Sequence, residues 1–272
     1  MKIKKVFVPL HKLFAGSKTA SLLIAKIRNQ CDLVLRRRFS VSNMDPAQNG
    51  EYALLKHVLP NCVVFFDVGA NKGEWTSYIV ADKGQASYSC VLFEPGANAF
   101  AQLKNTFNNN PHVELNNVAV SDTPGFLEFY EEENAGGMSS AVKGWSAEDI
   151  EPTQVPCTTI DQEIATKNLK AVDFIKIDVE GFDLKVMEGA AKSLKAQLIG
   201  LIQFEYNECW FDTGSSLVKA YHLLTGNGYK IYIIRPNGLM EYDVKTYGDF
   251  YSLSNFIAVS PAYLTYIKAL IL

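Results

Sequence analysis

Cys62-Val63-Val64-Phe65-Phe66-Asp67-Val68-Gly69-Ala70-Asn71-Lys72-Gly73 is the stretch from which the architecture follows. Its first five residues are continuously apolar and β-rich, the pattern of a strand buried on both faces. A glycine-containing turn comes next, then a helix-compatible stretch from Glu74 to Asp82. Strand, turn and helix in that order bring a ligand close to backbone N–H groups, and Gly69 and Gly73 allow approach without a Cβ. The turn is not the dinucleotide G-x-G-x-x-G, because residue 71 is Asn and Asp67 precedes it. A carboxylate there repels a pyrophosphate and welcomes a ligand carrying an amine or a sulfonium. The competing reading is a left-handed turn in which Asp67 caps the next helix.

Outward from this unit, strand-like and helix-like segments alternate. Strands are expected at Ser89–Phe93, Val113–Val120, Gly125–Tyr130, Val155–Thr158, Val172–Ile177, Ile199–Phe204, Tyr229–Ile234 and Asn255–Val259. Helices are expected at Ala97–Asn108, Leu184–Leu194 and Ser215–Leu224. Such alternation predicts an α/β fold with a seven-stranded, mostly parallel sheet and helices on both faces. Ligands of such sheets bind at the carboxyl ends of the strands. Residues 131–149, with Gly136-Gly137 and Ser139-Ser140, lack periodicity and form a candidate lid.

Further features close the later strands. Glu94, in Val91-Leu92-Phe93-Glu94-Pro95, stands one βα unit after Asp67 and is placed to accept from both hydroxyls of a ribose. Its alternative role is at a helix N-terminus. Asn117–Asp122 offers side-chain oxygens to the exocyclic amine of a purine, or else an Asx or Ser turn into Pro124-Gly125. Phe174-Ile175-Lys176-Ile177-Asp178-Val179-Glu180-Gly181 sets a lysine inside an apolar strand with acids just beyond it, and such charge needs a partner when buried. Gln203-Phe204-Glu205-Tyr206-Asn207 ends the next strand in similar fashion.

In this order and spacing, Phe-Asp-Val-Gly-Ala-Asn-x-Gly, Phe-Glu-Pro, Asn-x-Ala-Val-Ser-Asp and Ile-Lys-Ile-Asp-Val-Glu-Gly resemble the FkbM-type methyltransferases. Those are class I, Rossmann-like, S-adenosylmethionine-dependent enzymes. The resemblance runs from about Val63 to Glu205 and is most diagnostic at Ile175–Gly181. It implies that Asp67 and the loop Gly69, Ala70, Asn71 and Gly73 hold the methionine part of the cofactor. Glu94 and Pro95 would flank the ribose, and Ser121 and Asp122 the adenine. Asp178 would face the methionine end and the acceptor, with Glu180 beside it. The implied reaction is O-methylation of a sugar, glycan or other small-molecule hydroxyl.

A hydroxyl is a weak nucleophile and gains from a general base or a metal Lewis acid. His11, His57, His112 and His222 all fall outside the motifs. Asp178, Glu180 and Glu205 are therefore the candidates, either as base or as oxygen ligands for Mg²⁺. Pairing with Lys176 or helix capping is the plain alternative for Glu180 and Glu205.

Charge and cysteines limit the class. Residues 1–40 carry ten basic side chains and one acid, Asp32, a balance of +9 that leaves the other 232 residues at −12. A body at −12 repels a nucleic-acid backbone. An N-methyltransferase is further disfavoured because Asp178-Val179-Glu180-Gly181 stands where such enzymes carry Asn/Asp-Pro-Pro-aromatic. An NAD-dependent oxidoreductase lacks its glycine fingerprint, and a non-catalytic binding module with the same fold stays open. Residues 1–45 read as a basic amphipathic helical segment, packed on a domain of residues 46–272 or lying on an anionic membrane surface. Tyr263–Leu272 is an apolar run too short for an anchor, expected to pack as a last strand or helix. Five scattered cysteines without a CxxC pair suit a reducing, cytoplasmic setting, with membrane contact limited to the periphery.

Overall fold

The computed structural model describes residues 11–12, 14–84, 86–131, 139–142, 144 and 151–272. It divides into two compact units, Met1–Ser40 and Val41–Leu272. In the first, Lys18–Phe39 is a helix opened by Ser17, whose side chain accepts from the Ala20 amide. Leu22, Leu23, Ile24, Ile27, Leu33 and Val34 are exposed on it. At about 100° per residue they spread over more than half of its circumference, so the apolar face is broad rather than a narrow stripe. No described helix is long and apolar enough to cross a membrane.

Among its described residues the second unit has eleven strands: β1 (Val64–Val68), β2 (Ser89–Phe93), β3 (Val113–Asn116), β4 (Ala119–Val120), β5 (Gly125–Phe129), β6 (Thr153–Thr158), β7 (Val172–Ile177), β8 (Ile199–Tyr206), β9 (Lys230–Arg235), β10 (Gly238–Glu241) and β11 (Ser254–Val259). The main sheet runs β10-β9-β11-β8-β7-β1-β2-β3. Its β3-β2-β1-β7-β8 part is parallel, while β11 pairs antiparallel with both β8 and β9. The chain leaves β1 toward β2 and β3, then returns to place β7 on the other side of β1. That reversal is the switch point at which open α/β sheets bind ligands.

The sheet has eight strands rather than the expected seven. The extra one is β10, an antiparallel hairpin partner of β9 across Pro236-Asn237. The expected strand Val113–Val120 is two strands in different sheets, with β4 in a small β4-β6-β5 sheet. Asn117 makes the break: its Nδ2 donates to the carbonyls of Glu94 and Pro95, at 2.8 and 3.0 Å, and turns the chain off the sheet edge. The expected helix Leu184–Leu194 is likewise two, Asp183–Glu188 and Ala191–Lys195. Gly189 lies between them, and a Cβ there would come within 2.1 Å of the Ser121 carbonyl oxygen. Tyr263–Leu272 ends in short helical turns, and Ile271 bridges to Leu239.

Aromatic packing fixes β1 against β7 from one side. Trp75, on the helix Glu74–Lys83 (expected to end at Asp82), meets Phe65 and Phe174 edge-on at centroid distances of 6.3 and 5.3 Å. All three rings are buried, which removes a large apolar area from water beneath the switch point.

Candidate active site

A cavity of about 410 Å³ opens at the carboxyl ends of β1, β2 and β7. Asp67 is the penultimate residue of β1 and is buried. Its Oδ2 accepts from Thr76 Oγ1 at 2.7 Å, while its Oδ1 is buried with no partner among the described residues. Burial pushes the carboxyl up, and Lys176 and the Thr76 hydrogen bond pull against that. Asn71 has φ +46 and likewise leaves Oδ1 buried and unpartnered. Trp75 Nε1 is an unpartnered donor on the same lining. Native interiors rarely leave such groups alone, and three of them lining one cavity are what a polar ligand satisfies.

Glu94 also lines the cavity and is 5% exposed. Its Oε2 accepts from the Asn71 amide and its Oε1 from the Gly96 amide, both at 2.8 Å. Burial raises its carboxyl to about 7 against those two backbone bonds. Glu94 thus bonds the backbone at Gly96, just ahead of the helix Ala97–Phe107, while its side chain lines the cavity. A carboxylate has about four acceptor sites, of which two are used. Glu131, at the start of the candidate lid, accepts from the Ala97 and Asn98 amides and lines the same wall. Of the rest of that lid, residues 132–138, 143 and 145–149 lie outside the described residues. Phe93, Val118, Val120, Leu127 and Phe129 give the cavity an apolar side suited to a flat ring.

Gly69, Ala70, Asn71, Pro95, Asp178, Glu180 and Glu205 line the cavity as expected from the sequence, but Gly73, Ser121 and Asp122 do not. Gly73 serves packing: a Cβ there would lie 2.5 Å from the Phe107 ring and 2.7 Å from Leu103. Ser121 donates to Asp122, and Asp122 pairs with Lys185 at 2.9 Å. The turn at Asn117 carries the chain into β4, so that both lie just beyond that strand and Val118–Val120 line the cavity instead.

Lys176 and Asp67 are directly opposed across β7 and β1, and Gln203 of β8 is opposed to Lys176 on its other side. Lys176 Nζ bonds Asp178 Oδ2 at 2.7 Å. Burial works to lower the ammonium, but Asp178, Asp67 and Glu51 outweigh it and hold it above the usual range.

Beyond β7, Asp178, Glu180 and Glu205 each bring one carboxylate oxygen within 4.8 Å of the others. Asn207 Nδ2 donates to both Glu205 Oε1 (2.8 Å) and Glu180 Oε2 (3.2 Å). Glu180 has φ +49 and is followed by Gly181 at φ +101, a left-handed pair that turns its side chain back over the strand end. Burial, then Asp178 and Glu180, push Glu205 well above the ordinary carboxylate range. Among the described residues no histidine lines the cavity. His57 bonds the Tyr266 carbonyl, and His112 stacks on Tyr88.

Sequence reasoning missed Asn207, Glu131 and Trp75, together with Asn49, Glu51, Tyr52 and Asn255, all but Asn207 being part of the lining. Asn207 was in view beside Glu205, and its amide between two acids was the available signal. The others carry no motif.

Several solved structures resemble the fold. A methyltransferase FkbM from Methylobacillus flagellatus KT is 14% identical, with 72% of this chain and 44% of that chain covered and a TM-score of 0.48. The precorrin-6y C5,15-methyltransferase from Geobacter metallireducens GS-15 is 10% identical, with coverages of 77% and 86% and a TM-score of 0.41. Fibrillarin from Aeropyrum pernix, solved with bound S-adenosyl-L-methionine, is 11% identical, with coverages of 85% and 74% and a TM-score of 0.38. The chain thus spans less than half of the first of these proteins. No curated protein matches it. Residues 67–231, from Asp67 near the end of β1 to Ile231 in β9, match the family described as the methyltransferase FkbM domain. That is more than half of the chain, which belongs to this family.

Proposed function

We propose that this chain is an S-adenosylmethionine-dependent methyltransferase that methylates a hydroxyl oxygen of a sugar, a glycan or another small molecule. The observation that carries this reading is the unpartnered Asp67 Oδ1 at the β1/β7 switch point, with three carboxylates converging just beyond it. The residues present fit the cofactor. Asp67 Oδ1 and Asn71 Oδ1 are acceptors for its ammonium group, and Glu94 has acceptor sites to spare for ribose hydroxyls. The apolar side at Phe93, Val120 and Leu127 suits adenine. When bound, the cofactor supplies an electrophilic methyl group on sulfonium sulfur.

The chain's own contribution is position and proton handling. Two reactants held in one cavity lose the entropic cost of meeting, which is worth several kcal/mol. The acceptor hydroxyl's proton goes to Glu205, whose raised basicity comes from burial beside Asp178 and Glu180. Asn207 holds Glu205 and Glu180 in place. A second reading uses the same three oxygens as ligands of a hard divalent cation such as Mg²⁺, and their convergence within 4.8 Å favours it. Turnover that is unchanged after chelation supports the base reading, and turnover restored by Mg²⁺ supports the metal reading.

Calorimetric titration with S-adenosylhomocysteine beside NAD tests the cofactor. Micromolar binding of the first alone is the expected result. Binding of neither brings the non-catalytic module forward, and binding of NAD alone favours an oxidoreductase.

A further inference from the structure

Part of the cavity wall comes from outside residues 67–231. Asn49 ends the short helix Pro46–Asn49, Glu51 and Tyr52 begin the helix Glu51–Val58, and Asn255 lies on β11. The two helices meet at Gly50, with φ +106, where a Cβ would come within 2.2 Å of the Arg235 carbonyl oxygen. That backbone contact with the end of β9 sets Glu51 over the sheet.

Glu51 is 7% exposed and accepts from three side-chain amides. Its Oε1 accepts from Asn49 Nδ2 at 2.6 Å and from Asn255 Nδ2 at 2.7 Å, and its Oε2 accepts from Gln203 Nε2 at 2.6 Å. The three donors come from three different elements, so the carboxylate is rigidly placed. Gln203 Oε1 is itself buried without a partner among the described residues. A buried carboxylate held by neutral amides, in a cavity wall, keeps one acceptor site, and each asparagine amide keeps a second N–H. That mixture of fixed acceptors and donors matches hydroxyl groups, which donate and accept at once.

Charge narrows the ligand. The lining carries eight carboxylates, including Glu51, Asp67, Glu94 and Glu205, against two lysines, Lys72 and Lys176. An anionic acceptor is repelled. A cationic one would compete for Glu51 with Lys176, which already neutralises it in part. Tyr52, its ring stacked on Tyr78 at 4.3 Å and 22°, adds a stiff aromatic edge to the same wall.

We propose that Glu51, held by Asn49, Gln203 and Asn255, is the acceptor-binding carboxylate, and that it takes neighbouring hydroxyls of an uncharged carbohydrate ring. This rests on the methyltransferase reading and assigns the acceptor side of its site to residues outside the family match. Two variants keep the test clear of misfolding. In Glu51→Gln, a flip of the Gln203 amide satisfies the new N–H, and Asn255→Ala removes a half-buried side chain at the wall.

The experiment is saturation-transfer NMR on the full chain with S-adenosylhomocysteine present. The probes are methyl α-D-glucopyranoside, D-glucosamine and D-glucuronate. The neutral glycoside should give the strongest signal, at least about fivefold weaker in either variant, with S-adenosylhomocysteine affinity unchanged in calorimetry. Equal signals in wild type and both variants, no signal from the neutral glycoside, or a stronger signal from either charged sugar overturns the proposal. If S-adenosylhomocysteine binds while no sugar responds, this inference alone fails; if S-adenosylhomocysteine itself does not bind, the methyltransferase reading fails with it.

Discussion

Gly69 and Asp178 touch across the switch point: a Cβ on Gly69, at φ +78, would lie 1.9 Å from the Asp178 carbonyl oxygen. The Asp178 amide also donates to the Val68 carbonyl at 2.9 Å. The turn after β1 and the turn after β7 are thus packed together, and the loop Gly69–Gly73 is tied to the acidic cluster. Gly69→Ala should cost about 2–4 kcal/mol in urea unfolding, combining left-handed strain with a clash against backbone. Gly84→Ala is the control, since Gly84 has φ +55 and nothing within 4 Å of a built Cβ. It should cost about 1 kcal/mol. Equal losses in the two variants would show that the contact with Asp178 is not what requires glycine at residue 69.

Asp67 separates a cofactor role from a capping one. Thr76 takes Oδ2 and leaves Oδ1 for a ligand. Asp67→Asn keeps the shape and the Thr76 contact but loses the negative charge, so S-adenosylhomocysteine affinity should fall about tenfold or more, in line with a lost charge-assisted hydrogen bond. The unfolding midpoint should hold or rise, because burial already penalises the ionised carboxyl. A large loss of stability with affinity retained would instead mark Asp67 as structural.

Glu94 gives the binding a pH dependence of known sign. Its carboxyl titrates near 7 in the free protein because it is buried. Ribose hydroxyls donate to the ionised form, so binding lowers that value and releases a proton wherever Glu94 began protonated. Affinity should therefore fall as pH drops through 7, by about tenfold between pH 8 and pH 6 from this group alone. Glu94→Gln should flatten the profile. A wild-type profile that is flat, or that slopes the other way, removes Glu94 from the ribose site.

Strand ends were legible in the sequence and cross-chain neighbours were not. Asp67, Glu94, Asp178, Glu180 and Glu205 were found because each follows an apolar run, and a parallel sheet delivers such positions to one edge. Ser121 and Asp122 were misplaced for the same reason. Val113–Val120 reads as one strand, and only the tertiary bonds of Asn117 to Glu94 and Pro95 split it. The hairpin strand β10 is four residues long and half polar, too short for a clear period. Glu51 and Asn255 are 204 residues apart, so no local pattern joins them. The sheet order alone brings them together.

Glu205→Gln should reduce turnover by about 10²- to 10³-fold with S-adenosylhomocysteine affinity unchanged, the effect expected of a lost general base. Asn207→Ala should give a smaller loss and move the acid limb of the pH–rate profile, since Asn207 favours the ionised form of Glu205. Unchanged turnover in Glu205→Gln leaves the proton to Asp178 or Glu180.

Lys176 supplies the cation that makes this acidic end of the sheet foldable. Asp178, Asp67 and Glu51 all act on it, and its side chain is 13% exposed. Removing one partner of a buried ion pair typically costs about 3–5 kcal/mol, because the remaining charge is left uncompensated. Lys176→Met should approach that loss at pH 8, where Asp67 and Glu51 are pressed to ionise without their cation. As pH falls Asp67 and Glu51 take up protons in the folded variant before they do so in the unfolded chain, because burial already holds both high. The deficit relative to wild type should therefore shrink toward pH 5. Urea unfolding of both proteins at the two pH values measures it, and a deficit that grows on acidification would mean that Lys176 is held by packing rather than by its charge.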